Sequence, residues 1–460
     1  MPDRGLYRRA AALGLAFVVM AVSVSLMLRQ GGQAAGSDLV PRALPSASSA
    51  SSGEADGAEQ AEQDGNQSSI PEDPAAQIAP LLAQRGASVL TKNRAAWQET
   101  ISPAARAFRV RQGRVFGRLT ALAPRSWAYS FRRATPLPAS RSMQSGGWVA
   151  QVDLAYQLTA GGPTVHRHQY LTIIPAGHRS TSAAGTAGPG DWRIAGDTAG
   201  PTQSDLWDLS PISVTRGSRC LVIGSIEWRQ LNRKITNSCQ RSAVRVDSVW
   251  GRGWPRQTTL IVPDSQKQLG QLLDRSSTES KGLSDTAAVT VGPVSEAEEV
   301  LINPVVFTKF PALGIRVVLA HEMVHVATRA TGSGDAPTWL AEGFADYVGF
   351  GDSGLGPRDI AGDALREVDR GRIPSAFPGD ATFDSDGKGA AAAYGFAWTI
   401  MKTIANHGGT QRAVAFYRAA TSGTGAASAR VDGAVRKVLG LKDSQALVAE
   451  WRHELKILAG

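Results

Sequence analysis

The feature that most constrains this 460-residue chain is the stretch "GIRVVLAHEMVHVATRA", Gly314 to Ala330. Its spacing predicts a helix that is apolar on nearly every side and therefore buried. Yet that helix carries His321, Glu322 and His325. Ionisable groups taken out of water are costly unless they find partners. Positions i and i+4 put both imidazoles on one face, a turn apart, where two nitrogens reach a single ion. Glu322 lies beside them, placed to act on a water and not on the ion itself.

The continuation supplies the rest of such a site. "TGSGDAP" breaks the helix with two glycines and starts the next with Pro337 in its first turn, behind Ser333 or Asp335 as a cap. In the second helix, "TWLAEGFADYVG", Glu342 and Asp346 share one face. An antiparallel partner helix aims Glu342 at the ion as third ligand. It leaves Asp346 to accept a hydrogen bond from a ligand imidazole, which fixes the ring's tautomer. Gly343 is expected to let the two helix backbones approach closely.

HExxH followed by WL-x-EG-x-A-x-Y resembles the gluzincin metallopeptidases, the group containing thermolysin and the zinc aminopeptidases. The likeness covers about residues 245–420 and is sharp over 317–349. It implies one Zn²⁺ per chain on His321, His325 and Glu342, Glu322 as general base, and a peptide or protein as substrate. Two departures count. The interval from His325 to Glu342 is a little shorter than in either named branch, and the GxMEN exopeptidase motif is absent, which points to an endopeptidase. Gluzincins often take an oxyanion donor from the helical region downstream, where Tyr394 and His407 are the candidates. In this fold class an edge strand just before the active-site helix pairs with extended substrate, a role expected of Glu298–Phe307, "EEVLINPVVF".

Elsewhere the chain reads as α+β. Arg4, Arg8 and Arg9 precede an uncharged run from Ala10 to Leu28. As a helix it rises about 28 Å, close to a bilayer's hydrocarbon thickness. Residues 1–30 are thus expected to be a cytoplasmic tip and a signal-anchor helix, with everything after Arg29 outside the cell membrane. A small-x-small site at Gly32 to Ala34 would instead release a secreted protein. Residues 31–74, rich in Ser, Ala and acids, read as a disordered tether.

Residues 75–215 form the first folded unit. Helical spacing runs to about Leu119; then "WVAQVDLAYQL" alternates, with Trp148, Val152, Leu154 and Tyr156 on one face. "TVHRHQYLTII" and "DWRIAG" add two strands. This order of helices and then a long-stranded antiparallel sheet resembles the nuclear-transport-factor-2-like fold. His166 and His168 read as polar-face residues of that sheet. Residues 216–460 hold the peptidase-like part, with "RCLVIG", "TTLIVP" and "AAVTVG" as short strands around a helix. The whole arrangement resembles exported actinobacterial proteins that join such a cone-shaped domain to a peptidase domain.

The net charge of +9 is uneven: Ala43 to Gln84 contains no Lys or Arg. The remaining basic surface suits anionic cell-envelope polymers, and no basic–aromatic motif points to nucleic acid. Outside the cell, Cys220 and Cys239 can pair as a disulfide. The competing expectation is a non-catalytic anchored module with a vestigial zinc site.

Overall fold

The computed structural model describes residues 70–137, 147–160, 162–176, 191–255, 257–273, 287–291, 299–332, 336–383 and 388–460. The apolar run, nearly all of the tether, and the cap candidates Ser333 and Asp335 lie outside these residues. Among the described residues no helix is long and apolar enough to cross a membrane.

The fold is mixed α+β with two sheets. Three helices come first, α1 (Pro74–Leu90), α2 (Arg94–Glu99) and α3 (Arg106–Leu122). Asp73 caps α1 by accepting from the Ala76 N–H at 3.0 Å, with Pro74 in the first turn. They are followed by β1 (Ser126–Pro136), β2 (Trp148–Gln157), β3 (Val165–Pro175) and β4 (Trp192–Gly196), antiparallel in that order. The first of these strands is one the sequence reading does not assign.

A short helix, α4 (Leu206–Leu209), leads into the second sheet. That sheet holds β5 (Ile212–Arg216), β6 (Cys220–Ser225), β7 (Thr258–Val262), β8 (Ala288–Val291) and β9 (Glu299–Ile302). Their order is β5-β6-β7-β9-β8, with β6, β7 and β9 parallel and the two edge strands antiparallel. The crossover from β6 to β7 is the long helix α5 (Arg229–Trp250), tied back to β6 by a disulfide between Cys220 and Cys239, whose Cα atoms are 6.3 Å apart.

Alternation along the inner strands of the second sheet sends apolar side chains to both of its faces. Val222, Leu260, Val262, Val300 and Ile302 join the helical core. Leu221, Ile223, Ile261 and Leu301 join the core of the first sheet and its helices. A sheet covered on both faces has no solvent side to mark with polar residues.

The order also corrects the expected substrate strand. Within Glu298–Phe307, Glu299–Ile302 is the inner strand β9, paired with β7 on one side and β8 on the other, and Pro304–Phe307 is a helical turn. An inner strand has no free ladder groups to offer. The edge is β8.

The site helix α6 (Ala312–Ala330) follows, then α7 (Thr338–Phe350). Farther along come α8 (Lys388–Asn406), α9 (Gly409–Thr421) and the last helix, α10 (Ser444–Ala459). Pro337 stands at the N-cap of α7, and the Thr338 N–H there donates to Asp380 at 3.3 Å.

Candidate metal centre

Helix α6 is buried on every turn from Val317 to Thr328. One flank lies on α5, where the Ser242 hydroxyl donates to the Arg316 carbonyl at 2.9 Å. Another lies on α7, and here the expected role of Gly343 is corrected. A Cβ at Gly343 would meet the Ala397 carbonyl oxygen of α8 at 2.5 Å, so this glycine admits α8 and not α6. Gly349 serves the α6 contact: a Cβ there would meet the Val317 carbonyl oxygen at 3.0 Å.

The two helices bring His321, His325 and Glu342 together, all buried, in a geometry that can hold a metal ion. The Nε2 atoms of His321 and His325 are 3.1 Å apart. Glu342 places Oε2 at 3.2 Å from His321 Nε2 and Oε1 at 3.7 Å from His325 Nε2. Ligands bound tetrahedrally at 2.0–2.1 Å are separated by about 3.3–3.4 Å, so these distances are those of neighbouring ligand atoms around one small cation. Two ring nitrogens come this close only when one donates to the other or both lone pairs face a shared cation.

Asp346 settles the tautomer of one ring. His321 Nδ1 lies 2.8 Å from Asp346 Oδ1 and donates to it, which leaves a lone pair on Nε2. Burial alone would push the His321 imidazole down. Its hydrogen bond to Asp346 and the carboxylate of Glu342 beside it outweigh that and hold it well above the ordinary value. Burial likewise pushes the Glu342 carboxyl up, but His325 and His321 together bring it to about 2. Glu342 is thus an anion facing two imidazoles.

Glu322 stands apart from this trio. Its Oε2 accepts a hydrogen bond from the Thr290 hydroxyl of edge strand β8. Its Oε1, like Oε2 of Glu342, is buried without a hydrogen-bond partner. Orphaned carboxylate oxygens beside converging lone pairs are what a cation and its water would satisfy. Thr290 is a residue the sequence reading missed; it lies 32 positions before Glu322, in a four-residue strand with no charge to flag it.

The remaining candidates are placed as follows. Tyr394, on α8, is buried with its ring centroid 5.2 Å from that of Phe383. His407 is engaged elsewhere, its Nε2 2.7 Å from Glu450 of α10. Tyr417, on α9, is a second missed residue: it touches the Thr328 side chain and feels the charge of Glu342, and burial pushes its hydroxyl up to about 12. In the first sheet, His168 Nδ1 pairs with Asp153 at 2.7 Å while His166 is exposed, a polar face as expected.

No protein-family model, curated protein or solved structure matches this chain. Its functional reading therefore rests on its own residues.

Proposed function

We propose that the chain is a zinc-dependent metallopeptidase of gluzincin type, anchored in the cell membrane by its N-terminal helix with the folded part outside. The observation that carries this is the convergence of His321, His325 and Glu342 beside a separately held Glu322. Two imidazoles and one carboxylate, with no thiolate among them, are the donor set of catalytic zinc sites, whereas structural sites take four protein ligands and usually cysteine.

When bound, the ion would polarise a scissile carbonyl and acidify a water. The chain's own residues would do the rest. Glu322, fixed at Oε2 by Thr290, would take a proton from the attacking water on Oε1 and pass it to the leaving amine. Asp346 would keep His321 in its ligating tautomer. Tyr394 is our assignment for the oxyanion donor, and edge strand β8 for the segment that pairs with extended peptide. The first sheet and its helices we assign to the nuclear-transport-factor-2-like fold; anionic cell-envelope polymers are the partners that the basic surface suits.

The test compares the full-length chain with Glu322→Gln for zinc content and casein cleavage. The expected outcome is one zinc in both proteins and cleavage reduced by roughly 10²–10⁴-fold in the variant. Zinc held without cleavage by the wild type would instead favour a non-catalytic binding module.

A further inference from the structure

The outer face of helix α3 lies outside the metal centre and carries a charge pattern that the fold does not use. We propose that this face docks on an anionic lipid bilayer and holds the folded part of the chain against it. The inference rests on the membrane-anchored reading and is independent of the peptidase chemistry.

The sequence around α3 is one-sided in charge. Between Glu99 and Asp153 there are nine arginines and no aspartate or glutamate. Five of the nine lie on α3 itself. A helix face meant only for water gains from acids placed three or four residues from its bases, and this one has none.

The inner face of α3 is accounted for by packing. Phe108, Val115, Phe116, Leu119 and Leu122 are buried in the first core. Two half-buried arginines hold backbone: Arg109 donates to the carbonyls of Gln98 at 2.9 Å and Ile101 at 3.1 Å, and Arg118 to that of Trp207 at 2.6 Å. Those acceptors are neutral and leave both charges in place.

On the outer face Arg106, Val110 and Arg114 follow one another a turn apart, all exposed, with exposed Ala107 and Gly117 beside them. Arg94 reaches in from α2, where a Cβ at Gly113 would meet its Nη2 at 3.1 Å. Few acids face this ridge. Asp197 pairs with Arg111, Asp208 acts on Arg118, and Glu99 of α2 accepts from Gln84 at 3.0 Å. Arg106 and Arg114 form no ion pair among the described residues. Arg114 instead lies close enough to Arg118 for the two cations to repel, and past the helix end Arg125 and Arg216 do the same. Positive charge is accumulated here and not neutralised.

Val110 selects a bilayer over a soluble polyanion. It is 58% exposed in the middle of the cations. A dissolved polymer offers it nothing, whereas a headgroup layer takes in the valine while the long arginine stems reach past it to phosphates. From Arg106 to Arg118 the helix rises about 18 Å, a straight row that a flat surface meets at once. Each arginine at such a surface contributes about fivefold in affinity. Only 44 residues separate Arg29 from Pro74. A random coil of that length would span roughly 35–40 Å, which would keep α3 beside the bilayer.

The test uses the full-length chain with Val110→Cys labelled by the fluorophore NBD; the two native cysteines are closed in their disulfide. The protein is reconstituted by detergent removal into vesicles of phosphatidylcholine, with or without phosphatidylglycerol. NBD emission should shift to the blue with phosphatidylglycerol only, and return in about 0.5 M NaCl. Arg106→Gln with Arg114→Gln should lower the docked-to-free ratio roughly 10–30-fold, with the melting temperature as the check on folding. Flotation tests the anchor separately, since anchored chains float with both vesicles and in salt. A chain that floats with phosphatidylglycerol alone and is released by salt would refute the anchor and keep the docking surface. An NBD spectrum that is the same in both vesicles, or unmoved by the double substitution, would overturn the proposal. So would an equal blue shift on adding polyphosphate without vesicles, which would assign the face to a soluble polyanion.

Discussion

Two clusters of low-exposure charged residues lie on either side of the second sheet, and they are satisfied in opposite ways. On one side Arg167 reaches from β3 to Asp205 and to Glu299 of β9, and all three guanidinium nitrogens are engaged. Tyr156 adds a donor to Asp205 at 3.0 Å. Cation and anions face each other and the cluster is closed. On the other side the ligand atoms of His321, His325 and Glu342 crowd around one point, and carboxylate oxygens of Glu322 and Glu342 have no hydrogen-bond partner. Low exposure and charge are common to both, so neither marks a function. What separates them is whether the protein itself completes the set.

The largest effect expected from breaking this contrast is on stability, at the closed cluster. Arg167→Met would leave two buried carboxylates without their cation and should destabilise the chain by about 3 kcal/mol, read by urea unfolding. Zinc affinity of the folded protein should be unchanged. At the open cluster the order reverses. Asp346→Asn should leave stability nearly intact and weaken zinc binding by roughly 10–100-fold, measured by competition with a chromophoric chelator. Thr290→Val removes a hydrogen bond to a charged group, and kcat should fall about tenfold with zinc content unchanged. Thr290→Ser should restore it.

A pH effect sharpens the same contrast. Because the contacts with Asp346 and Glu342 raise His321 above its ordinary value, a proton competes with zinc for this imidazole over a wider range of pH. Affinity should therefore rise with pH, up to tenfold per unit, until the raised pKa is passed. Calorimetry in buffers of different ionisation enthalpy should show proton release on binding.

Much of the open cluster can be read from the chain because its parts are local. His321 with His325, and Glu342 with Asp346, are four residues apart on helices, and that spacing alone puts each pair on one face. What joins them to the rest is not local. Sheet order is not written in strand sequence, and nothing in Glu298–Phe307 itself marks β9 as an inner strand and β8 as the edge. Gly343 and Gly349 both lie on α7, and only the structure shows which neighbouring helix each admits. The closed cluster escaped notice entirely, since Arg167 meets partners 38 and 132 positions away. Strand β1 did carry a signal, the alternation of Trp127, Tyr129 and Phe131.

The most direct measurement is a zinc titration of the purified full-length chain beside His325→Ala, with metal content determined after dialysis. One tightly held zinc per wild-type chain, lost in a folded His325→Ala protein, is the result this account predicts. A wild-type chain that retains no zinc, or a variant that retains it undiminished, would contradict the assignment of His321, His325 and Glu342 as a metal centre.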